Sequence, residues 1–126
     1  MVSRAIRTNL RFTFPGGAPL SHGKAELMEL IRETGSIRQA AVRMDMSYRR
    51  GWLLVDELNR MFREPAIETK KGGKSGGGAG LTLFGETLLK RFRDMEKRTA
   101  KALKADLDWF EENARPQEEA AGPEKE

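Results

Sequence analysis

The chain has 126 residues, no cysteine and a single histidine, and its formal net charge is +4. That length supports one domain, and the absent cysteines exclude disulfides and thiolate metal centres. No apolar run approaches the roughly 20 residues a helix needs to cross a bilayer.

The charge is unevenly spread. Residues 111–126 carry six acids (Glu111, Glu112, Glu118, Glu119, Glu124 and Glu126) against Arg115 and Lys125, which leaves residues 1–110 at +8. A basic body with an acidic, Pro/Ala/Gly/Glu-rich end is a frequent arrangement in nucleic-acid binders that carry a disordered tail. The opening MVSRAIRTNLRF lacks the apolar segment of a secretory signal, so a cytoplasmic location is expected.

Leu10, Phe12 and Phe14 alternate with Arg11 and Thr13, which predicts one half-buried strand ended by Pro15, Gly16, Gly17, Ala18 and Pro19. Ser21 is placed to cap a first helix that buries Leu27, Leu30 and Ile31, and Gly35 sits where a left-handed C-terminal cap is wanted. His22 falls in that helix's first turn. With one histidine the chain cannot build a Ser-His-Asp or multi-histidine constellation, so it reads as a non-enzyme with no catalytic residue, cofactor or metal site.

Residues 36–59 predict two short helices joined by a tight turn. Ser36 and Gln39 form a capping box, and Ile37, Ala40, Ala41 and Met44 recur at helical spacing. The two alanines are small enough for another helix to cross closely. Asp45 and Met46 make the break, and Ser47 caps a second helix over 48–62 that opens with Tyr48, Arg49 and Arg50. A first turn bearing an aromatic and two arginines suits entry into a DNA major groove. Trp52, Val55, Asn59 and Phe62 line one side of that helix, with Leu54, Leu58 and Met61 widening the stripe. Trp52 and the leucines read as core.

Pro65 precedes a short strand over 66–70, and 80–83 can return beside it. Between them lies KKGGKSGGGAG. A phosphate-binding P-loop would need glycine at 68, where Glu68 stands, and a helix starting at Ser75, so that reading fails on spacing. The segment reads instead as a hairpin wing whose glycines let backbone approach a sugar-phosphate surface while Lys70, Lys71 and Lys74 neutralise phosphates. From 82 to 113 a single amphipathic helix of about 45 Å is predicted. Leu88, Phe92, Met95, Thr99, Leu103, Leu107 and Phe110 recur every three or four residues along it. Beyond Arg98 its stripe has no remaining partner in so short a chain. Leu103, Leu107 and Phe110 are therefore expected at a homodimer interface.

These motifs, taken together, resemble the N-terminal DNA-binding domain of the ModE family of molybdate-responsive transcriptional regulators, a winged helix-turn-helix related to that of LysR-type regulators. The residues that carry the resemblance are 27–31, the run 35–41, Met46 to Trp52, Asn59, the GGKSGGG wing and Leu81-Thr82-Leu83-Phe84-Gly85. They follow one consistent order across 10–113. The resemblance implies a mostly α fold with a small β-wing and a long C-terminal dimerisation helix, and a homodimer bound to a palindromic operator in double-stranded DNA. Residues 114–126 are expected to form an acidic disordered tail.

Full regulators of that family continue into β-barrel modules that bind molybdate, and nothing after Leu107 can form a barrel. The expectation is a regulator linked to molybdate uptake or molybdoenzyme genes without its own molybdate-binding domain, served by a separate oxyanion-binding protein if it senses molybdate at all. The DNA-binding set expected from the residues is Arg38, Ser47, Tyr48, Arg49, Arg50, Gly51, Lys70, Lys71 and Lys74, with Arg43 adding general attraction. The alternative from another class is a winged-helix module that binds protein through the same face.

Overall fold

A computed structural model describes residues 6–70 and 78–116. Lys71, Lys74 and residues 117–126, which hold most of the expected tail, lie outside the described residues. The fold is mostly helical, with two small antiparallel hairpins.

The first hairpin pairs β1 (Arg11–Thr13) with β2 (Pro19–Ser21), setting Arg11 opposite Ser21 and Phe12 opposite Leu20. The sequence predicts only the first of these strands. Gly16 and Gly17, at φ 94° and 96°, reverse the chain, and the Phe14 N–H donates to the Ala18 carbonyl at 2.8 Å. A proline in a three-residue edge strand gives little pattern to read. Phe12 meets Phe92 edge-on at 6.2 Å between centroids, so the hairpin covers one side of the core.

Helix α1 (His22–Thr34) follows directly. Ser21 occupies the cap position as the last residue of β2, but its hydroxyl makes no capping bond. Gly35 does close the helix as expected, at φ 72°, with its N–H on the Ile31 carbonyl at 2.7 Å. Ser36 then caps α2 (Ile37–Arg43) by accepting from the Gln39 N–H at 3.0 Å.

The turn out of α2 is a Schellman motif. The Met46 N–H reaches back to the Ala41 carbonyl and the Asp45 N–H to Val42, both at 3.0 Å, with Asp45 at φ 59°. Aspartate tolerates that left-handed position better than bulkier residues do. The motif delivers α3 (Tyr48–Met61) across α2. The crossing is close because a Cβ added at Gly51 would lie 3.1 Å from the Ala41 Cβ. Gly51, expected to let α3 seat on DNA, is buried against α2 and serves the helix crossing.

Beyond α3, β3 (Ile67–Lys70) pairs with β4 (Gly78–Leu81), Ile67 facing Leu81 and Lys70 facing Gly78. Asn59 clamps the base of this wing. Its Oδ1 accepts from the N–H groups of Ala66 (2.8 Å) and Ile67 (3.0 Å), and its Nδ2 donates to the Ile67 carbonyl at 2.9 Å. On the other strand, the Ala79 N–H donates to the Gly35 carbonyl at 2.9 Å.

Thr82 caps α4 (Leu83–Ala102) by accepting from the Gly85 N–H at 2.9 Å, and donates its own proton to the Pro65 carbonyl at 2.7 Å. Gly85 is required there: a Cβ would collide with the Ala66 carbonyl oxygen. The predicted single helix is interrupted at Leu103 (φ −100°, ψ 13°), and α5 (Lys104–Asn113) continues from it. Bonds from Leu103 N–H to Thr99 and from Leu107 N–H to Leu103 carry the helical ladder through the bend.

Leu27, Met28 and Ile31 of α1, Val55 and Leu58 of α3, and Leu88, Leu89 and Phe92 of α4 form the core with Ile37 and Ala40 of α2. Burying such a side chain contributes roughly 1.5–3 kcal/mol, whereas an exposed ion pair such as Arg32–Glu86 is worth about 0–1 kcal/mol. The α1–α4 junction is therefore an apolar one. Lys24 is the buried exception, 5% exposed, with its Nζ donating to Glu57 at 2.7 Å and to the Pro19 carbonyl at 2.8 Å.

Candidate nucleic-acid interface

Ser47, Tyr48, Arg49 and Arg50 stand exposed on the first turn of α3. The Ser47 Oγ accepts from the Arg50 N–H at 3.0 Å, which leaves its own proton free to donate outward. Among the described residues no carboxylate lies within ion-pair distance of Arg38, Arg49, Arg50 or Lys70, so these cations have no internal partner to surrender on meeting a phosphate. Arg43 differs: it sits 3.4 Å from Glu33 across the α1–α2 corner. Its contribution to general attraction is correspondingly reduced.

Arg38, from the first turn of α2, lays its guanidinium over the Tyr48 ring with 4.0 Å from Cζ to the centroid. Tyr48 in turn meets Trp52 edge-on at 6.4 Å. Trp52 is 39% exposed, against the expectation that it is core, because the stripe narrows to Val55 and Leu58 and leaves the tryptophan at the rim. This is the residue that periodicity alone misplaced. The available signal was its four-residue spacing from Tyr48, which puts two aromatics on one face.

Arg38, Tyr48 and Trp52 line an open groove of about 450 Å³ with Ser36, Lys70 and Ala79. The groove runs between the two helices of the helix-turn-helix and the inner edge of the wing. The structure thus brings Arg38, Tyr48 and Lys70 to one depression, while Arg49 and Arg50 stand on the same first turn of α3 without lining it. Gly51 lies beneath the surface they form.

At the other end, Leu103 is 38% and Phe110 50% exposed, with Trp109 beside them at 60%. Leu107 is only 8% exposed. It lines a cleft with Ile6, Thr8, Glu96 and Ala100, so the bend at Leu103 turns it onto its own chain. Of the three residues expected at a homodimer interface, Leu103 and Phe110 are exposed within this chain and Leu107 is not.

Among the described residues no group of three His, Asp or Glu side chains could hold a metal ion, and no helix is long and apolar enough to cross a membrane. No protein-family model matches the chain. Individual curated proteins do. The molybdenum transport protein ModE of Azotobacter vinelandii is 34% identical over 87 residues, covering 69% of this chain and 32% of that one. The molybdenum-pterin-binding protein MopA of Rhodobacter capsulatus is 38% identical over 88 residues, 69% of this chain and 33% of that one. The DNA-binding transcriptional dual regulator ModE of Escherichia coli is 35% identical over 69 residues, 55% of this chain and 26% of its own length. One is named for molybdenum transport, one for binding a molybdenum pterin and one for DNA-binding regulation, and the chain spans about a third of the length of the first two. With the fold and these matches combined, the winged helix-turn-helix of this chain is similar to the N-terminal domain of ModE-family regulators.

Proposed function

We propose that this chain is a sequence-specific DNA-binding transcriptional regulator acting on molybdate uptake or molybdoenzyme genes, in which these 126 residues read DNA and molybdate is sensed elsewhere, for example by a separate oxyanion-binding protein. The observation that carries the reading is the first turn of α3. Ser47, Tyr48, Arg49 and Arg50 are exposed there, free of internal ion pairs, beside a wing strand ending in Lys70.

In this reading a homodimer sets two α3 helices in successive major grooves of a palindromic operator, one helical turn apart. The Ser47 hydroxyl and the positive end of α3 hold a phosphate. Arg49 and Arg50 reach base edges, where a bidentate arginine–guanine pair is worth ~1–3 kcal/mol of discrimination. Lys70, Lys71 and Lys74 contact the backbone. Leu103 and Phe110, with Trp109 beside them, face the second protomer.

The test is gel-shift titration of Arg49→Ala and Arg50→Ala against an operator selected from random duplexes, with circular dichroism as the fold control. Both variants keep the wild-type spectrum, and at least one loses operator preference by about 10-fold or more. Unchanged preference in both would move the reading surface elsewhere. Wild-type binding should also weaken with salt at a slope near −0.9 per phosphate contacted. A flat salt response would favour a protein partner on this face.

A further inference from the structure

The groove beside α3 has a device built into it that the arginine-and-lysine reading does not use. Arg38 and Tyr48 come from different helices, yet the guanidinium carbon lies over the phenol ring, 4.0 Å from its centroid. Stacking occupies the face of a guanidinium and leaves its N–H edges free, which are the atoms that bind phosphate. No carboxylate among the described residues competes for them. A free arginine loses side-chain freedom on binding, and one already stacked loses less. Tyr48 also meets Trp52 edge-on at 6.4 Å, and Trp52 and Lys70 line the same groove. Gly78 and Ala79 line the groove as well and add almost no side-chain bulk.

We propose that this groove seats one sugar-phosphate strand of a DNA duplex, that Arg38 clamps a phosphate there, and that Tyr48 is a positioning residue for Arg38 which reads no base. The proposal rests on the DNA-binding reading above and sharpens it. Tyr48, grouped with the arginines in the expected DNA-binding set, takes a task different from theirs. Trp52 supplies the apolar wall against the deoxyribose.

The experiment is a double-mutant cycle on the full chain, using the selected operator and an unrelated duplex over a range of salt. Arg38→Ala should weaken both duplexes alike and shallow the salt slope by about 0.9. Tyr48→Leu should lose about two- to fivefold on both duplexes, the scale of an exposed cation–π contact. The double variant should be no weaker than Arg38→Ala alone, and Tyr48→Phe, which keeps the ring, should match wild type. In a Trp109→Phe background, saturating duplex should shift the Trp52 emission. Additive losses, an unchanged salt slope in Arg38→Ala, a silent Trp52, or lost operator preference in Tyr48→Phe would each overturn the proposal. Wild-type binding that ignores salt would overturn the DNA reading beneath it as well.

Discussion

The two ends of this molecule are built on opposite plans. At the α3–wing end, exposed chemistry stands on backbone fixed by polar clamps: the Schellman turn at Asp45, the Ser47 cap, the three Asn59 bonds and the Thr82 cap. At the α5 end, a 10-residue helix is joined through a bend and carries Leu103, Trp109 and Phe110 largely uncovered, with Leu107 its one buried residue. Hydrogen-bonded clamps define orientation, which a surface that must match a partner atom by atom requires. Apolar area defines only that something covers it. The contrast is what supports the proposed division between recognition at one end and assembly at the other.

The sharpest way to break that contrast is to charge the apolar end. Leu103→Glu with Phe110→Glu should leave the fold intact by circular dichroism, since both side chains are exposed within the single chain, and convert a dimer into a monomer by analytical ultracentrifugation. Operator affinity should then fall by roughly 10²–10⁴-fold, the avidity lost when two half-sites are no longer linked. A wild-type monomer at tens of micromolar would remove the assembly role.

At the clamped end, Gly85→Ala forces a Cβ onto the Ala66 carbonyl oxygen, at the junction where α4 meets the wing base. Overpacking against backbone should cost about 3 kcal/mol, read as a lowered urea midpoint. A midpoint equal to wild type would mean that α4 and the wing base are not held as described.

The smallest effect concerns Arg93, which joins α4 to α1 through Glu29 at 2.8 Å and also meets Glu96 at 2.7 Å. The hydrogen bond from Arg93 holds the Glu29 carboxyl below its ordinary value of 4.5, against a burial effect that raises it. A carboxylate with a depressed folded value stabilises the fold above its unfolded value, and that stability is lost as pH falls through the folded one. Arg93→Ala should therefore lower stability at neutral pH by about 1 kcal/mol or less, given how exposed Glu29 is, and flatten the decline below pH ~4.5. Denaturant melts at several pH values would show it, and parallel acid limbs in the two proteins would refute it.

Much of the fold was legible because its signals are local. Gly35, Ser36 with Gln39, Ser47 and Thr82 each announce a helix boundary through a bond to a neighbour three or four residues away. Packing between distant segments was less visible. Trp52 lies on the same face as Val55, but the depth of the core decides which of the two is buried. Likewise Lys24 pairs with Glu57 across 33 residues, which no spacing rule reports. The bend at Leu103 falls among Ala100, Lys101, Ala102 and Ala105, good helix formers that carry no break signal. For the interface, residue type pointed to Arg38, Arg49, Arg50 and Lys70. The stacking of Arg38 on Tyr48 depends on how two helices cross, and only coordinates express that.

The wing is anchored at both feet, with Asn59 holding Ala66 and Ile67 on one strand and Gly35 holding Ala79 on the other. Its strands are therefore held by groups outside the hairpin, one on α3 and one at the α1–α2 corner. The wing strands and the helix-turn-helix are thus tied into one frame, as a bracket is bolted at both ends.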